Sequence, residues 1–419
     1  MRDGAAFWKV VCGSGGVTAV RTLCALVSNK VLALALGPAL FASVAQFQNL
    51  LAIGQSASVL GLQNGWVSLT AARRGDPEAL RGLWKTGMRL TALASAAAAL
   101  AFVLAALLAP LEAMFPGIPG SSSRAALLLA APGLAFSACA TVSLSVANGL
   151  SRWRLWGAIG IAVPLLQCGW LVAFALTGGA AAVPAALATQ SVLAGTAAAL
   201  LAARCGFSPR AWWRAARGEP RPWLEFAGMS LVPALLGPAV LMAVRVAAGE
   251  AAGWEAAGML QGCWRISDFF SLAVSSALGV WILPRVSADV PRERLPEIVL
   301  PVLGRTVALA AAGALAVWAL RGLVVPLLFS ESFGAMEELL PLQLAGDAIR
   351  SAGWCLGLVL MARRRTKLFI SAEIVSQLLY ACASLALLPL LGIRGPLVAY
   401  LAENALYAAA LFVLLRRVR

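Results

Sequence analysis

Long apolar runs separated by short polar intervals make up the chain from end to end. Each run is long enough to cross a hydrocarbon core of roughly 30 Å, and in lipid its backbone can satisfy its hydrogen bonds as a helix. The pattern predicts twelve spans. In the first half they cover Gly13–Leu36, Ser43–Leu69, Thr86–Leu108, Arg124–Ala147, Leu155–Leu176 and Ala182–Ala203. In the second half they cover Trp223–Ala247, Gly258–Leu283, Leu300–Leu328, Glu337–Met361, Leu368–Leu391 and Gly395–Leu415. The longest charged interval, Arg204–Arg221, falls between the two sets. The expected organisation is an all-α polytopic membrane protein: an N-terminal six-helix lobe over residues 1–203, a basic cytoplasmic linker over 204–222 and a C-terminal six-helix lobe over 223–419. Paired helical halves are a transporter architecture.

Composition agrees with the pattern. Hydrophobic residues make up 61% of the chain and charged residues 12%, against a soluble average of about 25% charged. Lysines and arginines gather on alternate loops, including Arg73/Arg74/Arg81/Lys85, Arg152/Arg154, Arg285/Arg292/Arg294 and Arg363/Arg364/Arg365/Lys367, as well as the linker and both ends. Cytoplasmic loops retain basic residues, so both termini are expected in the cytoplasm. The net charge of +15 is then mainly topogenic, with attraction to anionic membrane lipids as a secondary effect. Basic residues scattered over short loops form no continuous groove with stacking aromatics, which argues against nucleic acid as a partner. Met1–Lys9 leads directly into a full-length span that contains Arg21, and no small-residue cleavage site follows a short apolar core. The first span is expected to be retained.

Several chemistries have no residues to run on. The chain has no histidine, and its eight cysteines show no C-x-x-C spacing, so neither a metal centre nor a disulfide framework is expected. No G-x-x-x-x-G-K-[ST] loop occurs, and no extramembrane segment has room for a nucleotide-binding domain. The expected activity is transport without an enzymatic step or cofactor, driven by the membrane potential or by a proton or sodium gradient.

Charges inside the spans carry the remaining signal. Arg21, Lys30, Arg89, Arg265, Arg305 and Arg350 lie within otherwise apolar stretches, where each costs roughly 2.5–3.5 kcal/mol at a helix centre. Such charges face a wet cavity, pair internally or bind an anion. Arg89 and Arg305 lie near the ends of their spans and can snorkel, as can Lys30; Arg21, Arg265 and Arg350 rank above them. Arg245, at the outer end of its span, reads either as an exit-side cation or as an interfacial anchor. Gln261, Arg265 and Asp268 in Q-G-C-W-R-I-S-D are spaced to share one helical face, and Asp347 and Arg350 in G-D-A-I-R repeat the step of three. Glu373 and Glu403 are the other buried acids. For any one pair, an internal ion pair that holds helices together competes with a transport role. Gln48, Asn64, Gln261 and Trp264 are candidate glycan contacts, with ordinary interhelical packing as the alternative. Pro132, Pro164, Pro233, Pro238 and Pro301 mark bends, and the Pro233/Pro238 pair is the strongest hinge candidate.

These residues resemble a known family. The stretch K-V-L-A-L-A-L-G-P-A from Lys30, F-Q-N-L at Phe47, N-G at Asn64, D-P at Asp76, I-S-D-F at Ile266, I-L-P at Ile282 and Q-L-A-G-D at Gln343 are similar to the Wzx polysaccharide flippases of the multidrug/oligosaccharidyl-lipid/polysaccharide (MOP) exporter superfamily, in particular those serving enterobacterial common antigen. The likeness runs from the first span to the last. It includes two basic residues nine apart in the first span, here Arg21 and Lys30, and acids in the eighth and tenth spans, here Asp268 and Asp347. The family carries a basic residue where this chain has Gln48, and no arginine where this chain has Arg265.

The resemblance implies a flippase that moves an undecaprenyl-diphosphate-linked oligosaccharide outward across the bacterial inner membrane, for O-antigen or common-antigen synthesis. It also implies two six-helix lobes in a MATE-like V shape that alternate access, with a polysaccharide polymerase and a chain-length regulator as further partners. The implied roles are diphosphate and glycan binding by Arg21, Lys30, Arg245, Arg265, Arg350, Gln48, Asn64 and Gln261, and ion coupling, including antiport, by Asp268, Asp347, Glu373 and Glu403. Arginine suits this substrate on independent grounds, because its planar fork binds phosphate oxygens bidentately. With the cytoplasm negative, each anionic charge moved outward gains roughly 2.3 kcal/mol per 100 mV. The alternatives are a multidrug exporter of the same superfamily, for which an acidic cavity is expected, and a non-transporting scaffold of a polysaccharide assembly complex.

Overall fold

The structure, a computed structural model, describes residues 2–204, 218–282, 295–363 and 365–417. Most of the basic linker, the Arg285/Arg292/Arg294 loop, Arg364 and Arg419 lie outside the described residues. Among the described residues the regular elements are all helical: α1 (Arg2–Ser58), α2 (Gln63–Ala72), α3 (Pro77–Leu108), α4 (Leu111–Met114), α5 (Gly120–Gly149), α6 (Trp153–Arg204), α7 (Arg221–Ala252), α8 (Trp254–Ile282), α9 (Leu295–Ala319), α10 (Arg321–Leu328), α11 (Leu340–Ala362), α12 (Thr366–Leu391) and α13 (Gly395–Arg417), with 3₁₀ turns at Glu331–Glu338 and Gly392–Arg394. Eight stretches of the described residues are long and apolar enough to cross a membrane. This is a multi-pass membrane protein.

Two of the longest helices are broken by glycine. In α1 the chain leaves the helical path at Gly37 (φ 64°, ψ 175°), and in α6 at Gly179 (φ 59°, ψ −154°). Both lie in intervals where the apolar pattern separates two spans, and positive φ is open to glycine at no steric cost. The hinge expected at Pro233 and Pro238 does not take this form, because α7 is continuous through both prolines. Proline removes one backbone donor but holds φ near −65°, a helical value, so it weakens a helix without breaking it.

The fold divides into two compact units: Met1–Ala35 with Ser43–Pro238, and Leu36–Ala42 with Ala239–Arg419. In the first unit, Trp66 and Trp223 lie with ring centroids 4.5 Å apart, in a core shared with Leu62, Leu80, Leu83, Val142 and Val146. Beside them Trp84 donates its indole N–H to Thr70 at 3.0 Å. Asp76 of the D-P motif caps α3 by accepting from the backbone of Glu78 and Ala79, both at 3.0 Å, with Pro77 at the first helical position. Helices in lipid associate through close packing of small residues. At Gly195 of α6 an added Cβ would lie 2.2 Å from the carbonyl oxygen of Phe136 in α5.

In the second unit α11 packs against α8, α9, α12 and α13. The inserted segment Leu36–Ala42 is fixed there by Phe41, which meets Phe329 and Phe333 edge-on at 6.0 and 5.3 Å. Gly346 of α11 makes room for an aromatic ring: a Cβ at that position would lie 2.4 Å from Cδ1 of Tyr400 on α13.

Candidate functional site

The helices of the second unit bring several of their polar residues together. Arg245 of α7 is 1% exposed and directs both Nε and Nη2 to Oε1 of Gln261 on α8, at 3.1 and 2.6 Å. Its guanidinium also lies 5.4 Å from the ring centroid of Trp264, a cation–π distance. This placement fits neither an exit-side cation nor an interfacial anchor, since either would keep the charge in water. Arg245 instead sits inside the fold, stabilised by a neutral amide and an aromatic face.

One turn further along α8 the surroundings change. Arg265 forms a 3.6 Å ion pair with Asp268, and both are more exposed than the buried Gln261. The predicted trio shares a helix but not an environment, because Gln261 is engaged by Arg245 while Arg265 and Asp268 lie where α8 becomes accessible.

Asp347 is the centre of the cluster. It is 2% exposed, and Ser267 of α8 donates to both of its carboxylate oxygens. Gln343, one turn back on α11, donates Nε2–H to Ser267 Oγ at 2.6 Å. From α13, the Tyr400 hydroxyl donates to Asp347 Oδ1 at 2.7 Å and accepts from Arg350 Nη1 at 3.1 Å. Asp347 and Arg350 therefore communicate through the oxygen of Tyr400. Trp354 lies under the Arg350 guanidinium at 4.7 Å. The other two acids are held across the α12–α13 seam: Ser376 donates to Glu403 and Tyr407 donates to Glu373.

The predicted residues of the first unit are placed differently. Arg21 is exposed, Lys30 and Gln48 are half-buried, and Asn64 is exposed at the start of α2. The sequence reading did not single out Tyr400, Tyr407, Ser267 or Ser376 as site residues. Tyr400 and Tyr407 stand seven apart on a helix that also carries Glu403 and Asn404, and that spacing alone ties neither ring to α11 or α12.

No protein-family model matches the chain. Among curated proteins it is 26% identical over 411 residues to the lipid III flippase of Escherichia coli (strain K12), covering 96% of each chain, and it matches the lipid III flippase of Shigella flexneri to the same extent. Among solved structures it superposes on an inward-facing multidrug resistance MATE family transporter of the MOP superfamily with a TM-score of 0.75 at 17% identity, covering 94% of each chain. The fold is that of the MOP exporters. A second MOP superfamily transporter, from Pyrococcus furiosus and described as having a binding pocket of reversed polarity, aligns with a TM-score of 0.63 at 19% identity over 96% of this chain and 92% of its own. Within this MOP fold, the second unit of the present chain buries Arg245, Asp347 and Glu403 among neutral hydrogen-bonding partners.

Proposed function

We propose that this protein is a flippase that carries an undecaprenyl-diphosphate-linked oligosaccharide from the cytoplasmic to the periplasmic leaflet of the bacterial inner membrane, by alternating access, for cell-surface polysaccharide synthesis. The observation that carries this reading is the similarity to two lipid III flippases over 96% of the chain, on a MOP exporter fold. Twelve crossings fit the helix lengths. The stretches Gly15–Ala72, Trp153–Arg204 and Thr366–Leu415 hold 58, 52 and 50 residues, and at about 1.5 Å per residue each is more than twice the thickness of the hydrocarbon core. Counting each of these three as two crossings, and adding Trp254–Ile282 to the eight apolar stretches, gives twelve, with both termini cytoplasmic.

In the second unit Arg265 and Arg350 are the diphosphate ligands, and in the first unit Arg21 and Lys30 are the candidate cations. Arg245 and Gln261 hold the helices that carry this charge, and Gln48 and Asn64 serve the glycan. The membrane potential favours outward movement of an anionic headgroup, and Asp268, Asp347, Glu373 and Glu403 link transport to a proton or sodium gradient. A polymerase and a chain-length regulator would take up the product.

The test is leaflet translocation of a fluorescent undecaprenyl-diphosphate oligosaccharide in proteoliposomes, with a cationic dye as control. Lipid movement that falls in Arg265→Gln and Arg350→Gln is the expected result. Dye movement without lipid movement would assign the protein to drug export instead.

A further inference from the structure

The position of Tyr400 between a buried acid and a half-buried arginine has a consequence for how the site is loaded. Its oxygen accepts from Arg350 at 3.1 Å while its proton goes to Asp347 at 2.7 Å, and its ring is seated against Gly346. The carboxylate also receives Ser267, itself oriented by Gln343. All the donors therefore point toward Asp347 and are arranged for its ionised form, which accepts only. In that form the chain Arg350–Tyr400–Asp347 is closed, and Arg350 is held by its neighbour's oxygen and by the negative charge behind it.

We propose that Tyr400 is the positioning residue that makes anion binding at Arg350 depend on the protonation of Asp347. The proposal rests on the reading of Arg350 as a phosphate-binding residue. A protonated Asp347 presents an O–H, which donates to the Tyr400 oxygen. The Tyr400 proton, no longer accepted by the acid, turns to the side of the oxygen that Arg350 occupied and displaces its N–H; from there it can donate to an incoming anion. Arg350 then swings toward the same anion, and the carboxylate charge that would repel that anion is gone. An ionised Asp347 does the reverse. Proton and anion thus bind together at this site, and by linkage an anion on Arg350 draws a proton onto Asp347 to the same degree.

Two further acids, Asp268 and Glu403, lie near enough for their charges to act on Arg350, and both also have partners of their own. From α8, Arg265 pairs with Asp268, and Cys263 is buried. From α12 and α13, Glu373 is bonded to Tyr407 and Glu403 to Ser376, while Tyr380 packs edge-on against Tyr400 at 6.0 Å. From α9, Arg305 and Glu297 are exposed. In the 3₁₀ turn, Glu337 and Glu338 pair with Arg321 and Arg394.

The experiment measures sulfate binding to the full chain in lipid nanodiscs by calorimetry in two buffers of different ionisation enthalpy. Sulfate keeps its charge across the range, so any pH dependence belongs to the protein. The wild type is expected to bind sulfate at least about fivefold more tightly near pH 5 than near pH 8, the lower end of ordinary coupling, with net proton uptake. Asp347→Asn is expected to bind tightly at both values with no proton uptake, and Tyr400→Phe to bind with less than about a twofold pH dependence. Wild-type pH dependence in Tyr400→Phe would overturn the proposal while leaving Arg350 as the anion site. Undiminished sulfate binding in Arg350→Gln would instead overturn the phosphate-site reading itself. Asp347→Asn keeps the side-chain volume, so the coupling remains open to refutation even where Tyr400→Phe fails to fold.

Discussion

The two compact units treat charge in opposite ways. The first is held by tryptophans and small residues, with Trp66 packed at a tilt against Trp223 and α5 and α6 in near contact at Gly195; its candidate cation Arg21 is exposed. The second buries Arg245, Asp347 and Glu403, and bonds each to a neutral side chain: Gln261, Ser267 with Tyr400, and Ser376. A buried ion pair locks two charges together, and breaking it is costly. Charges held by amides and hydroxyls are satisfied without being neutralised, so they remain able to respond to an incoming ion. The comparison assigns stability to the first unit and switching to the second.

Substitutions can break that division. The largest effect is expected from Trp66→Ala, which opens a cavity in the first unit and costs about 3–5 kcal/mol of stability, read as a fall in the thermal unfolding midpoint. The rate per folded molecule should hold, and a change in substrate charge preference would sink the division. Arg350→Gln tests the other side. Hydrogen bonds to charged groups are worth about 1.5–3 kcal/mol, so flipping should slow by about 10- to 100-fold with the unfolding midpoint nearly unchanged. Gln261→Leu removes an acceptor of a buried guanidinium and should destabilise the second unit by about 1–3 kcal/mol, measured by unfolding in detergent. Arg265→Gln should cost little stability: its 3.6 Å pair with Asp268 is partly exposed, and such pairs contribute at most about 1 kcal/mol. A larger loss would mean that Arg265 holds the fold as well as the substrate.

Much of the fold could be read directly from the apolar pattern, because lipid forces a long apolar run into a helix whatever its neighbours do. The break at Gly37 follows from a Gly-Pro step between two such runs, and the cap at Asp76 from its place before Pro77. Arg245 was harder to place, since its position near a span end says nothing of the amide sixteen residues on that takes its charge inside. Tyr400 lay beyond sequence reading for the same reason. Its role is set by Asp347 and Arg350 on another helix, and helical spacing reports only on residues of the same helix. The likeness to Wzx flippases supplied the substrate class, which no residue pattern contains.

The hydrogen-bond partners of the buried charges also set a timetable for the growing chain. Arg245 meets Gln261 within sixteen residues, so α7 and α8 can enter the membrane as a hairpin that brings its own acceptor. Asp347 is made long before Tyr400, which follows 53 residues later, but eighty residues after Ser267. The carboxylate therefore enters lipid with its serine donor already in place and its tyrosine still unmade, so the closing of the Tyr400 bond marks the end of assembly and Ser267 guards the acid until then.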